Sequence, residues 1–171
     1  MRRMLLGVVA LVMVATVPCV ASAQRLQIHT GALAGTGVSI GMGNADSVTR
    51  RSPTSVVAHV FFANSERAWL RYGVTLRAEV ESKVTFGFSP QVAVGRSWRW
   101  LSYGAVAGVP LIIAPKSLYG IEVGLYASFD VIEWLSVLVQ GFGQFYLLGN
   151  DLPEDSFLVM VQLYAGVEIH F

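Results

Sequence analysis

The sequence predicts an all-β protein, an eight-stranded antiparallel up-and-down transmembrane β-barrel preceded by a cleaved signal peptide. Three observations carry that prediction. The last fifteen residues, Phe157 to Phe171, place an apolar side chain at every second position, eight times running, and successive strand side chains point to opposite faces. Every charge that falls on such an alternating segment takes the polar face: Arg71, Arg77, Glu79, Lys83, Glu122 and Glu168. The dipeptide Trp-Leu recurs at Trp69, Trp100 and Trp134, 31 and 34 residues apart, just before alternate strands.

The first 23 residues are set apart as a signal peptide. Arg2 and Arg3 make a basic start, Leu5 to Val17 an apolar stretch, and Ala21-Ser22-Ala23 a small-x-small cleavage site. The expected mature unit is residues 24–171, one domain. Removing Arg2 and Arg3 leaves 10 basic against 11 acidic side chains, so the formal net charge moves from +1 to −1. That balance excludes an electrostatic nucleic-acid binder. The single cysteine, Cys19, lies within the signal; Thr16 and Pro18 fit a lipidation site poorly, and no disulfide chemistry is expected. With 54% hydrophobic and only 13% charged residues, something apolar must surround the chain. Helical spans are the rival, but the uncharged stretches 100–115 and 134–150 are interrupted by Pro110, Gln140 and Gln144 and fall short of about 20 apolar residues.

Eight alternating segments follow the signal. The first, about Leu26 to Met42, opposes Leu26, Ile28, Ala32, Ala34, Val38, Ile40 and Met42 to Gln27, His29, Ser39 and several glycines. The second, about Thr54 to Phe62, opposes Val56, Ala58, Val60 and Phe62 to Ser55, His59 and Phe61. The third, about Trp69 to Glu79, sets Leu70, Tyr72, Val74, Leu76 and Ala78 against Arg71, Thr75, Arg77 and Glu79. The fourth, about Lys83 to Gly95, sets Val84, Phe86, Phe88, Val92 and Val94 against Lys83, Thr85, Ser89 and Gln91. The fifth is Trp100 to about Ile112, with Ser102, Gly104 and Gly108 on its polar face. The sixth, Leu118 to Asp130, carries Glu122, Gly124, Tyr126 and Ser128 there. The seventh, Leu135 to about Leu147, carries Ser136, Gln140 and Gln144. The eighth ends the chain, with Gln162, Tyr164, Gly166, Glu168 and His170 opposite its apolar row.

Alternation alone does not orient the faces, because a soluble lipocalin-like barrel buries its apolar side. Long unbroken apolar rows, the tryptophan repeat and the terminal aromatic strand favour lipid outside. In an up-and-down barrel alternate turns share a rim, so the three indoles reach one level of the wall, at the headgroup zone. Turns at that rim, 63–68, 96–99 and 131–133, are short. Those opposite, 43–53, near Glu81, 115–117 and 149–156, include two longer ones. The asymmetry puts both termini in the periplasm.

The final octet, Tyr164-Ala165-Gly166-Val167-Glu168-Ile169-His170-Phe171, resembles the terminal signature of bacterial outer-membrane proteins at Tyr164, Gly166, Ile169 and Phe171. The mature chain looks like a small outer-membrane barrel of the OmpA transmembrane-domain or OmpX kind. The resemblance implies a bacterial outer-membrane location, and recognition of the last strand by the outer-membrane assembly machinery and periplasmic chaperones. It departs from OmpA-like proteins in ending at the strand, and from OmpX-like barrels because only the first strand reads as long enough to stand beyond the membrane.

Eight strands enclose a space that side chains fill, so a wide pore is not expected. The inward set Arg71, Arg77, Glu79, Lys83, Glu122, Gln140, Gln144, Gln162 and Glu168 predicts an internal polar network, with Glu122 and Glu168 satisfied by Arg71 or Arg77, since unpaired buried charge is costly. The inward glycines Gly31, Gly35, Gly37 and Gly41 predict a wet cavity beside the first strand. His29 and His170 map to the rim of the chain ends and His59 to mid-height, none beside an outer-leaflet acyl ester with a serine and carboxylate at hand, so no catalytic residue is expected. No metal-ligand spacing or cofactor motif is read. The expectation is a monomeric, non-enzymatic barrel with a structural or surface-interaction role borne by its loops, first of all 43–53 with Arg50, Arg51 and Asp46. The alternatives are a narrow channel, a lipid A-modifying enzyme, or a soluble periplasmic barrel.

Overall fold

A computed structural model describes residues 26–43, 47–64, 69–81, 84–114, 117–150, 152 and 156–171. The expected signal peptide, Asp46 and Lys83 lie outside them. Nine strands form: β1 Leu26–Met42, β2 Val48–Asn64, β3 Leu70–Glu79, β4 Thr85–Trp98, β5 Leu101–Gly108, β6 Leu111–Ala114, β7 Leu118–Ile132, β8 Leu135–Gly149 and β9 Phe157–His170. All pairings are antiparallel and the sheet closes through β3 on β4 and β1 on β9. The ring nonetheless has eight staves. Both β5 and β6 pair with β4 on one side and β7 on the other, so together they are the single fifth strand read from the sequence.

Pro110 causes that split. Lacking an N–H, it cannot donate to the ladder; Val109 N instead donates to Pro90 O at 3.2 Å and Gly120 N to Pro110 O at 3.2 Å. Pro53 has the opposite outcome. The second strand was expected to begin after it, near Thr54, but β2 starts at Val48, and Pro53 falls where the β1 register shifts between Gly35 and Gly37. A bulge accommodates proline within a strand. So β1 and β2 are both 17 residues long, against the roughly 9–11 that cross a bilayer, and the expectation that only the first strand overhangs is corrected: β2 rises with β1 past the end of its pairing with β3 at Ser55, while β9 flanks β1 as far as Met42. The turns near the tryptophans are also shorter than read. β4 runs to Trp98, leaving Arg99 and Trp100, with Arg99 in the left-handed region (φ 57°); β7 runs to Ile132, leaving Glu133 and Trp134.

The faces decide between lipid and water. Leu76, Phe86, Ile121, Val123, Leu125, Leu147, Val161 and Leu163 all stand exposed on the outside, whereas Ser55, His59, Thr75, Ser89, Gln91, Glu122, Gln144, Gln162 and Glu168 are buried inside. A water-soluble barrel has the reverse arrangement. Burying each outward Leu or Val in hydrocarbon is worth about 1.5–3 kcal/mol, so the wall is suited to a bilayer and the soluble alternative fails. Around the wall the described strands each have a paired neighbour on both sides, so the ring is closed, as a spanning sheet requires.

Candidate functional site

With the outside apolar, chemistry is confined to the lumen and the rims. From the rim of the chain ends inward, β9 presents His170, Glu168, Gly166, Tyr164, Gln162 and Met160, and β8 presents Ser136, Leu138, Gln140, Phe142, Gln144 and Tyr146. The lumen is therefore layered. A carboxylate centre at Glu168 lies near the chain ends, an aromatic and aliphatic plug fills the middle, and a second centre at Glu122 lies beyond it.

At the first centre, His29 Nδ1 donates to Glu168 Oε1 at 3.3 Å and His59 Nε2 to Oε2 at 3.0 Å. Arg71 Nη1 adds a bond to Oε1 at 3.4 Å, and its guanidinium lies 5.7 Å from the centre of the Tyr126 ring. Three strands far apart in sequence meet here because Gly31 of β1 pairs with both Glu168 and His59. A Cβ on Gly31 would lie 2.7 Å from the His59 ring, so only glycine lets the imidazole cross β1.

At the second centre, Ser89 and Gln91 donate to Glu122 Oε1 and Gln144 Nε2 to Oε2 at 2.8 Å. The amides are held in turn: Thr75 Oγ1 donates to Gln91 at 2.7 Å and the Tyr146 hydroxyl to Gln144 at 3.3 Å. Arg77 Nη2 is 3.6 Å from Oε2, an ion pair without a direct hydrogen bond, and its Cζ lies 5.5 Å from the Tyr164 ring centre. Each buried carboxylate thus has its own arginine and each arginine its own tyrosine face, a contact worth about 0.5–2 kcal/mol.

Between the centres pack Leu33, Val57, Phe61, Ala93, Val106, Tyr126, Leu138, Phe142 and Tyr164. Beyond Glu122 lie Ile112, Leu118, Tyr146 and Met160. Among the described residues, two internal cavities, one beside Arg71 and Gln140 and one beside Arg77 and Glu79, measure about 10 Å³ each, room for a single water. The wet cavity expected beside β1 is filled at Gly31 and Gly35, which is a correction. Tyr164 lies where a side chain on Gly35 would go, with its Cδ1 2.5 Å from that Cβ position, and the His59 ring does the same at Gly31; at Gly37 the β9 backbone takes the place, and Gly41 has only Val48 O nearby at 3.9 Å.

The remaining sequence-derived residues are placed as follows. Tyr164 and Gly166 point inward, with the Tyr164 hydroxyl donating to Gln162 at 2.6 Å, and a Cβ on Gly166 would meet Ala32 O at 2.0 Å. Ile169 pairs with Leu135 and Thr30, and Phe171, exposed, exchanges backbone bonds with Ile28 at 3.1 and 2.9 Å. Trp69, Trp100 and Trp134 are about half exposed, and their carbonyls accept from Gly95, Asp130 and His170. The three occupy equivalent places on the rim that holds the chain ends.

The structure adds one contact that the sequence did not show. His170 does have a serine and a carboxylate at hand, Ser136 Oγ at 2.5 Å from Nε2 and Asp130 Oδ1 at 3.9 Å. Nucleophile activation needs a carboxylate hydrogen-bonded to the far imidazole nitrogen, and Glu168 Oε1 stands 3.8 Å from His170 Nδ1, too far for such a bond. Here Asp130 instead accepts from Ser136 itself at 2.6 Å, and Ser136 is fully buried, so the trio is wired for holding His170 and not for acyl transfer.

At the opposite rim, Arg51 Nη2 bonds Glu81 Oε1 at 3.1 Å, with Thr54 donating to the same oxygen. Thr54, and then Arg51, hold the Glu81 carboxyl below its ordinary range. Arg50 and Arg51 lie on the overhanging part of β2, opposite Ser39 and Val38.

No protein-family model and no curated protein matches the sequence. Among solved structures the chain is similar to the crystal structure of Neisserial surface protein A, at 12% identity over 84% of this chain and 97% of that one, with a TM-score of 0.58. It is similar also to a de novo designed transmembrane β-barrel, at 14% identity over 81% and 95% of the two chains, with a TM-score of 0.53. At such identities the likeness is one of fold, and it is to membrane-spanning barrels of this size.

Proposed function

We propose that this chain is an integral protein of the bacterial outer membrane whose barrel is a rigid platform and whose outward task is surface interaction through the β1–β2 hairpin. The filled lumen carries this reading. A conduit needs a continuous wet path, and two cavities of about 10 Å³ separated by packed aromatic rings offer none. Binding is left to the rims, where loops on a stiff scaffold place side chains reproducibly. The overhanging hairpin carries Arg50 and Arg51, so an anionic partner suits it. A solved barrel of like fold is described as a surface protein, which agrees with that role.

In this reading the tryptophan rim and both chain ends face the periplasm, residues 1–23 are removed on export, and the outer-membrane assembly machinery takes up the last strand through Tyr164, Gly166, Ile169 and Phe171. The reading remains non-enzymatic and monomeric. Conductance of the purified protein in planar bilayers tests the central claim. Silence is the expected result, and stable unitary steps abolished by Leu138→Trp would replace the platform with a channel. Protease cleavage within 43–47 on intact cells, with the other rim protected, is the expected orientation.

A further inference from the structure

The chain contains three histidines, and all three converge on one carboxylate. His29 Nδ1 and His170 Nδ1 are 3.0 Å apart, and Glu168 Oε1 lies 3.3 Å from the first and 3.8 Å from the second. Around a tetrahedral zinc ion with bonds of about 2.0–2.1 Å, ligand atoms are separated by about 3.3 Å. Three donor atoms already stand near that spacing. We infer that His29, His170 and Glu168 form a binding site for a zinc-class divalent cation, which staples the first strand of the barrel to the last.

Proton counting favours it. The Ser136 hydroxyl has one proton and gives it to Asp130, which can only accept. Ser136 Oγ must therefore accept from His170 Nε2–H, and this leaves a lone pair on His170 Nδ1, aimed into the site. Asp130, Ser136 and His170 thus make an outer chain that fixes ligand tautomer and orientation, as the partners of metal-bound imidazoles do. His29 must move its proton from Nδ1 to Nε2 on binding. Its Nε2 has no hydrogen-bond partner, so that exchange breaks no bond there, and no proton is lost overall. His59, on the other carboxylate oxygen at 3.0 Å, orients Glu168. The side chain of His170 is 20% exposed, which gives access from the rim and leaves a fourth position for water.

Arg71 opposes the cation, since its guanidinium lies 3.4 Å from the same Oε1. It has somewhere to go: the face of Tyr126, already 5.7 Å away. The competition makes a distinctive expectation, because removing an arginine from an ordinary structural ion pair would weaken the site, whereas here it should strengthen cation binding.

The test uses the untagged mature protein refolded in detergent and titrated with Co²⁺, then Zn²⁺ in competition. The expected result is one ion per chain with a tetrahedral Co²⁺ visible spectrum that Zn²⁺ erases, together with a higher temperature for the heat-induced mobility shift. His170→Ala and His29→Asn should each weaken binding at least about tenfold, as loss of ligands or their supports does, while Arg71→Met should tighten it about tenfold. With no cysteine in the mature chain and no histidine outside this cluster of three, background binding is small. A flat titration, or variants that bind as the unaltered protein does while keeping the folded mobility, overturns the site. So does weaker binding by Arg71→Met.

Discussion

The two ends of the lumen are built on the same plan and finished with different chemistry. Each has one buried glutamate, one arginine and one tyrosine ring beneath that arginine. Glu122 is then surrounded by Ser89, Gln91 and Gln144, backed by Thr75 and Tyr146, groups that carry no charge at any physiological pH. Glu168 is surrounded by imidazoles, which can also ligate metals. Burying a carboxylate requires satisfied lone pairs, and amides do that as well as imidazoles do. What imidazoles add is responsiveness, and they stand at the more open end, on the strands that close the ring. The far centre is a lock, and the near centre is adjustable.

Breaking the lock should have the largest effect. Glu122→Leu leaves Arg77, already short of hydrogen bonds at Nε and Nη2, buried without its counter-charge, along with two amides deprived of an acceptor. The expected loss is about 3–5 kcal/mol, read as a lower urea midpoint for the refolded protein in detergent. Because the cost lies in the stranded charge, Arg77→Met combined with Glu122→Leu should recover most of it. An additive double variant would mean that packing, not charge pairing, dominates at that end.

Glu168→Gln should cost less, about 1–3 kcal/mol by the same measurement. A glutamine keeps an acceptor for His29 or His59 and supplies an amide to the other, so fewer groups are orphaned than at Glu122. A loss equal to that of Glu122→Leu would erase the distinction between lock and adjustable centre.

The inward position of both glutamates was legible, because a period of two sorts residues 71, 77, 122 and 168 onto one face without knowledge of the register. The gathering of histidines was not. His29 and His170 meet because β1 and β9 pair in one particular register, and His59 joins because Gly31 leaves room; periodicity encodes neither. Prolines misled in both directions for one reason. A single chain does not show whether a bulge can absorb the missing N–H, as at Pro53, or whether the ladder breaks, as at Pro110. Gly31 and Gly35 were likewise read as empty space, when the rings of His59 and Tyr164 that fill it sit on other strands.

Tyr146→Phe sharpens the comparison with a single atom. The hydroxyl supports Gln144 at the far centre and touches nothing at the near one, so the expected loss is about 0.5–1.5 kcal/mol. Cation binding at His29 and His170 should be unchanged. Coupling between the two would show that the plug transmits strain along the lumen.

The smallest effect is expected outside the lumen, where solvent screens a similar cluster. Glu81 takes a hydrogen bond from Thr54 and an ion pair from Arg51, so its carboxyl titrates below the ordinary value of 4.5. A carboxyl held down in the folded state stabilises it above the unfolded value and ceases to do so as the pH falls through the lower one. Val80 N donates to Thr54 O at 3.0 Å, so its amide reports on this corner of the hairpin. Its protection from hydrogen exchange should decline as the pH drops below 4.5, and Thr54→Val should move that decline to higher pH. Both changes should be slight, because an exposed pair holds little energy. Protection that stays level through this range would remove Glu81 as a brace of the overhanging strands and leave Arg50 and Arg51 to the backbone pairing and to the hydroxyls of Ser39, Thr36 and Thr54.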